Sequence, residues 1–331
     1  MSRTVIAFLL TLCTTHAELA TIVFWSDTAG PSPSDVFEVA VDGSSVQNIT
    51  EGRHPSAYCP SVARDGGSIA YVAPAENGYT QIWEDTRGQG YRQLTTTPAF
   101  SAHPSWSPDA DQVVFRSDTD RTAEDLPDNL CLSGQSPHTF YLGCNDLFVL
   151  NLKTGESTNI TADPVFDVLP AWSPSGQRIA YLRMEGRPRG NIWIWENGLN
   201  TQITEAGDFI STPSWSPDGR FLAVGATRGK QVIVILDDAG NQVGEPTSSF
   251  DYVTEPAWSN DGSAIAFYVW KSEGGAIWQM NPDGSNAAKV IDWADGAKSM
   301  SWTPGEIPIT AVLPLSGGSL KEILQGRVDP R

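Results

Sequence analysis

A twelve-residue phrase recurs along this chain, and its spacing restricts the possible folds more than any other feature. It is fullest as Pro213-Ser214-Trp215-Ser216-Pro217-Asp218-Gly219-Arg220-Phe221-Leu222-Ala223-Val224, and variants of it carry Trp106, Trp172, Trp258 and Trp302. The last four of the five tryptophans are separated by 43, 43 and 44 residues. A period in that range belongs to β-propeller blades, small sheets that cannot bury their faces alone and must stack side by side. A sixth copy keeps the frame without the ring: Pro60-Ser61-Val62-Ala63-Arg64-Asp65-Gly66 places Val62 44 residues before Trp106. Six copies predict six blades.

One interval is irregular. Trp106 and Trp172 lie 66 residues apart, which is one blade plus an insertion of about 22 residues. Within a blade four strands are legible. After Ala171-Trp172-Ser173 ends an inner strand, Pro174-Ser175-Gly176 turns the chain. Residues 178–182 and 191–195 read as second and third strands, Glu196-Asn197-Gly198 as a turn, and residues 201–204 as an outer fourth. A large ring at one fixed place per blade reads as inter-blade packing, since each aromatic side chain buries about 150–250 Å². Val62 therefore predicts a less filled first junction.

The chain opens in mid-blade, with residues 22–26, 35–39 and 46–50 matching second, third and fourth strands. Residues 298–302 supply the missing first strand. The expected fold is an all-β six-bladed β-propeller with four-stranded blades, the last closed by N- and C-terminal strands so that no long edge remains. Residues 309–313 look like a further strand, competing with the amino-terminal segment or lying outside the ring. The domain reading is a signal peptide over 1–17, the propeller over 18–313 with an inserted loop at 118–144 in the second repeat, and a tail over 314–331.

Residues 1–17 have Arg3 near the start, an apolar run over 4–13 and a small-residue exit at Thr15-His16-Ala17, the layout of a secretory signal cleaved after Ala17. A lipid-anchor reading at Cys13 is weaker, because Leu12 precedes it. The expected location is therefore periplasmic or secreted, and no later segment is long and apolar enough to span a bilayer. The formal net charge is −18. Such a field repels nucleic acid and anionic lipid and favours cationic partners or metal ions. An oxidising compartment permits a Cys131–Cys144 disulfide pinning the insertion, a contribution of about 3 kcal/mol. Cys59 then reads as a buried thiol, with pairing to either insertion cysteine as the alternative.

The phrases Pro213 to Gly219 and Pro256-Ala257-Trp258-Ser259-Asn260-Asp261-Gly262 resemble the repeats of TolB-like propellers, a WD-like family of bacterial periplasms. Met280-Asn281-Pro282-Asp283-Gly284-Ser285-Asn286 after a third strand, and Arg92-Gln93-Leu94-Thr95 as a fourth, match it too. The resemblance covers about residues 21 to 305. It implies a six-bladed propeller that acts by binding protein within the cell envelope. TolB carries an α/β domain ahead of its propeller, and the expectation is that this chain lacks it, so contacts made through that domain do not transfer. Related propellers also accompany peptidase domains, and none is expected after Trp302. The repeat is a folding motif and carries no functional residue by itself.

In a propeller, the loops leading into first strands and those joining second to third strands share one face around the channel. The insertion falls there, with Asp118, Asp120, Glu124, Asp125 and Asp128 followed by Phe140 and Tyr141. A long loop on a rigid scaffold is a place for function, against the plainer reading of a tied decoration. Asp167, Asp208, Asp251, Glu255 and Asp295 join that face, with Tyr58 and His103 just before blade prolines, forming an acidic rim. Such a mouth can offer Ca²⁺ its six to eight oxygen ligands, but Asp118-Thr119-Asp120 continues without the glycine and terminal glutamate of an EF-hand loop, which favours a solvated rim. No cofactor is otherwise expected. His54, His103 and His138 form no metal-binding spacing, and no nucleophile elbow or phosphate loop is present. Cys59 and His103 could meet near the channel as a nucleophile and base, a minor reading. The favoured function is a non-catalytic module, monomeric, binding a protein or an envelope glycan. The alternative is a propeller enzyme, a lyase, lactonase or cyclase, with a metal at the channel mouth.

Overall fold

The computed structural model describes residues 19–27, 34–87, 89–118, 145–163, 165–184, 189–247, 249–270, 275–293 and 298–305. Its named elements are all strands, arranged as six antiparallel four-stranded sheets. Blade 1 holds β1 (Thr21–Asp27), β2 (Ser34–Ala40) and β3 (Val46–Asn48). Blade 2 holds β4 (Tyr58–Val62), β5 (Ser68–Pro74), β6 (Thr80–Thr86) and β7 (Gly90–Gln93). Blade 3 holds β8 (Ser101–Trp106), β9 (Gln112–Ser117), β10 (Asp146–Asn151) and β11 (Ser157–Asn159). Blade 4 holds β12 (Phe166–Trp172), β13 (Arg178–Met184), β14 (Asn191–Glu196) and β15 (Leu199–Gln202). Blade 5 holds β16 (Ser214–Trp215), β17 (Phe221–Arg228), β18 (Lys230–Asp237) and β19 (Gln242–Gly244). Blade 6 holds β20 (Val253–Trp258), β21 (Ile265–Val269), β22 (Gly275–Met280) and β23 (Ala288–Trp293). Finally β24 (Lys298–Trp302) returns to β1 as the inner strand of blade 1, with Ile22 opposite Trp302 and Val23 opposite Ser301. The inner strands β24, β4, β8, β12, β16 and β20 neighbour one another in turn and close the ring. The expected six-bladed propeller and its mixed-terminus closure are both present.

The Ser-Pro-Asp-Gly words are turn chemistry. Ser107, Ser216 and Ser259 each donate their hydroxyl to the aspartate two residues on, at 2.6, 2.6 and 2.7 Å, and accept the backbone N–H five residues on, at 2.9 Å in each case. The glycine is required twice over at Gly66. Its φ is +75°, and a Cβ there would lie 2.8 Å from Pro304 Cδ in the neighbouring blade, so the turns interlock around the ring.

The threonine after five of the six fourth strands also has a structural task. Val36, Ile82, Leu147, Ile192 and Ile233 in the third strands donate their backbone N–H to Thr50, Thr95, Thr161, Thr204 and Thr247, at 2.8 to 3.1 Å. This explains one departure from the sequence reading. The outer strand of blade 4 is Leu199–Gln202 rather than residues 201–204, because Thr204 leaves the ladder to cap β14. Thr204→Val should lower stability by about 1–3 kcal/mol, the cost of stranding a buried N–H, and Thr204→Ser should restore most of it in urea unfolding.

The tryptophans pack between blades, but in two alternating ways. Trp106, Trp215 and Trp302 are buried, and each donates its indole N–H to a carbonyl of the preceding blade: Ser61 at 3.1 Å, Ala171 at 3.1 Å and Ala257 at 2.8 Å. At the intervening junctions a serine hydroxyl of the preceding blade accepts the backbone N–H of the aromatic position instead: Ser105 from Trp172, Ser214 from Trp258 and Ser301 from Val62. Trp172 and Trp258 are only half-buried, and their indole N–H groups have no partner among the described residues. Val62 thus stands at a junction whose hydrogen bond needs no indole.

Candidate functional site in the axial channel and loop face

Five blades share a backbone irregularity that sequence reading did not register. Three residues before the aromatic position, Cys59, His103, Leu169, Glu255 and Ser299 adopt left-handed φ values of 50 to 56°. Each coincides with a register shift between the inner strand and its neighbour. Such bulges turn a side chain out of its strand, and a non-glycine residue held there costs about 1–3 kcal/mol. Blade 5 is the exception: there Ser211 accepts the Gly225 N–H at 2.7 Å and Thr212 is not among the left-handed residues. The ring surrounds an axial cavity of about 230 Å³ whose wall includes Cys59, His103, Thr212, Glu255 and Ser299. Arg64 lies at its opposite end and donates to the Pro174 carbonyl two blades away, at 3.4 Å.

His103 and Glu255 therefore do face one cavity, and Cys59 joins them. Burial, and next the nearby Arg116 guanidinium, hold the His103 imidazole well below its usual range, so it is neutral. The His103 Nδ1 is buried without a hydrogen-bond partner among the described residues.

The acidic rim resolves into individual environments. Asp118 is half-buried and accepts the Phe100 N–H at 2.9 Å; burial raises its carboxyl. Asp167 is fully buried in blade 4, gripped by Arg183 through Nε at 2.7 Å and Nη2 at 2.7 Å, while the same guanidinium reaches Asp163. Burial pushes Asp167 up to about 7 against the pull of that fork, and Arg183 itself is raised by Asp167. Asp208 is paired with Arg228 at 2.7 Å, and Asp251 is exposed. Tyr58 is buried, and His54 packs against Trp83 with ring centroids 4.6 Å apart. Asp120, Glu124, Asp125, Asp128, Phe140, Tyr141, His138, Asp295, the cysteines Cys131 and Cys144, the segment 1–17 and residues 309–313 lie outside the described residues.

Among the described residues one group has the composition of a metal site, Asp146, Asp163 and Asp167. Its chemistry is already balanced by protein. Asp146 accepts Asn159 Nδ2 at 2.9 Å and Thr161 Oγ1 at 3.3 Å, and Arg183 supplies the cation beside the other two.

Two aromatic residues on the loop face were not singled out from sequence. Tyr252 precedes β20 and Trp270 follows β21, where the Trp270 N–H donates to the Tyr252 carbonyl at 2.9 Å. Their exposures are 53 and 56%. Hydrophobic periodicity cannot flag them, because both stand where strands end.

Ring, closure and axial cavity together define a six-bladed β-propeller. A family model for the TolB beta propeller domain matches residues 167–313, and the chain has a TolB-like propeller fold. TolB from Acinetobacter baumannii superimposes with a TM-score of 0.66 at 18% identity, over 86% of this chain and 67% of that one. An oligogalacturonate lyase in complex with manganese gives 0.54 at 15% identity, over 82% of this chain and 73% of that one. In sequence, the uncharacterized peptidase YuxL of Bacillus subtilis (strain 168) is 26% identical over 137 residues, 37% of this chain and 21% of that protein. The chain thus spans about a fifth of that relative's length. These structural likenesses establish fold; the proteins that share it include both binding modules and enzymes.

Proposed function

We propose that this chain is an exported, non-catalytic propeller that binds a protein or a glycan of the cell envelope through its loop face. The observation that carries this reading is the exposed Tyr252–Trp270 pair beside the channel mouth. Tyrosine and tryptophan are the residue types that dominate binding hot spots and that stack on sugar rings, and leaving two of them bare on one rim is costly without a partner. The 118–144 segment supports the same face. Its flanking residues Ser117 and Asp146 are opposite one another in the β9–β10 ladder. A periplasmic or secreted location is supported by the amino-terminal sequence and by the TolB likeness. No helix among the described residues is long and apolar enough to cross a membrane.

Tyr252→Ala/Trp270→Ala, and separately deletion of residues 120–141, should each weaken capture of envelope partners tenfold or more while the melting temperature stays within a few degrees of wild type. Capture equal to wild type in both variants would refute the reading. The competing view, a propeller enzyme with a metal at the channel mouth, has its foothold in the Asp146, Asp163 and Asp167 group. A guanidinium already answers the charge there, which weighs toward binding.

A further inference from the structure

At the loop-face end of blade 6 the β20–β21 ladder runs one step past its last buried pair. Val253 and Val269 are register partners and belong to the core shared with blade 5. The next step joins Tyr252 to Trp270, whose N–H donates to the Tyr252 carbonyl at 2.9 Å. Opposed residues of an antiparallel pair share one face, with Cβ atoms about 4.5–5.5 Å apart, and successive pairs alternate between faces. The two exposed rings therefore stand side by side on the other face, the one on which Tyr268 packs with Ile22 and Phe24 of blade 1. Tyr268 also braces Trp270 edge-on, with ring centroids 6.4 Å apart and planes at 66°. In β22 the same step continues from Val269–Ala276 to Trp270–Gly275, and a Cβ on Gly275 would fall 1.7 Å from the Tyr268 hydroxyl oxygen. The third strand thus adds no side chain to this row, and the bracing tyrosine takes the space.

The result is a solvent-facing aromatic strip carried on the strands of a rigid blade. Protein hot spots are desolvated pockets; this row is flat. The face of an aromatic ring is negative and attracts C–H groups that carry partial positive charge. A pyranose with equatorial hydroxyls presents such C–H groups on its faces and turns its hydroxyls outward at the edge, toward polar neighbours of the strip such as the exposed Asp251 and Gln231, which bridges to Tyr252. A β-1,4 linkage keeps successive rings in one flat ribbon that can cover both side chains. We propose that Tyr252 and Trp270 form a stacking subsite for a neutral, gluco-configured, β-1,4-linked oligosaccharide; this rests on the loop-face binding reading above and specifies its ligand. Charge selects against acidic sugars, because Asp251 adjoins the strip and the chain carries a formal net charge of −18.

The test is isothermal titration calorimetry of the full chain with cellotetraose, with the β-1,4 tetramer of N-acetylglucosamine and with tetragalacturonate. At least one neutral tetramer should bind saturably, and tetragalacturonate should bind about tenfold more weakly or not at all. Trp270→Ala and Tyr252→Ala should each lower affinity for the neutral tetramer about tenfold, and Trp270→Phe by less, all with melting temperatures within a few degrees of wild type. The absence of saturable heat with both neutral tetramers, unchanged affinity in both alanine variants, or tighter binding of tetragalacturonate would overturn the proposal. The two readings fail separately. If the Tyr252→Ala/Trp270→Ala variant loses a captured envelope protein while neither neutral tetramer binds wild type, the face binds protein and only the saccharide assignment falls; if that variant loses neither protein nor sugar, both fall.

Discussion

Replacing Arg183 by alanine should be the most damaging single charge removal in the molecule, lowering stability by about 3–5 kcal/mol and the melting temperature by roughly 10 °C. The loss comes less from the missing attraction than from what remains, since Asp167 is fully buried and would lose both the cation and the hydrogen-bond donors that hold it. The pH dependence has a definite sign. Asp167 is raised by burial in the folded state, to about 7, above the ordinary value of about 3.9 in the unfolded chain. A raised acid takes up protons more readily when folded, so its contribution is present at low pH and declines as pH rises between those two values. Without Arg183 the folded value rises further, so the deficit should be smaller at pH 5 than at pH 8. Urea titrations at both pH values measure this, and Asp167→Asn in the Arg183→Ala background should recover part of the loss. An equal deficit at both pH values would show that Asp167 is not the stranded group.

The tryptophan series should divide into two classes. Trp302→Ala removes a buried ring from the strand that closes the propeller, together with its 2.8 Å bond to the Ala257 carbonyl, and should cost about 3–5 kcal/mol. Trp106→Ala and Trp215→Ala should behave alike. Trp172→Ala and Trp258→Ala should cost less, since those rings are half-buried and donate no hydrogen bond among the described residues. Phenylalanine sharpens the contrast. It should cost about 1–3 kcal/mol where a buried carbonyl loses its donor, at 106, 215 and 302, and little at 172 and 258. Five chemical-denaturation curves decide the matter; a uniform cost would remove the alternation from the account of stability.

The ring behaves, in this respect, as three pairs of blades. That grouping also accounts for Val62. It occupies a junction of the serine type, where Ser301 accepts its backbone N–H at 3.1 Å and no indole donor is used. An aromatic ring could be lost there at the cost of packing alone, whereas the same loss at Trp106 would also strand a carbonyl.

The candidate site was legible to different depths at different residues. The sequence reading set His103 and Glu255 on the loop face, since the repeat fixes where each inner strand begins, and both line the axial cavity. Their left-handed backbone was not legible, since non-glycine residues give no sign in sequence of a bulge that tertiary packing imposes. Asp167 and Asp208 looked like open rim from their position before blade starts, but arginines from the same blades, Arg183 and Arg228, fold back onto them. Tyr252 and Trp270 carried no periodic signal, and only their exposure makes them candidates.

By itself the sequence determined the blade count, the strand order within a blade and the joining of both termini in one sheet. Those features rest on local chemistry repeated at a fixed interval: a serine and an aspartate that build a turn, a threonine that caps a strand, a ring that must be covered. Which charges are satisfied and which are left waiting was decided only in three dimensions. Arg183 and Arg116 are both arginines near the end of a second strand. One finds Asp167 across its own sheet and the other has no salt bridge among the described residues, because pairing depends on register and on the neighbouring blade, which a sequence records only indirectly.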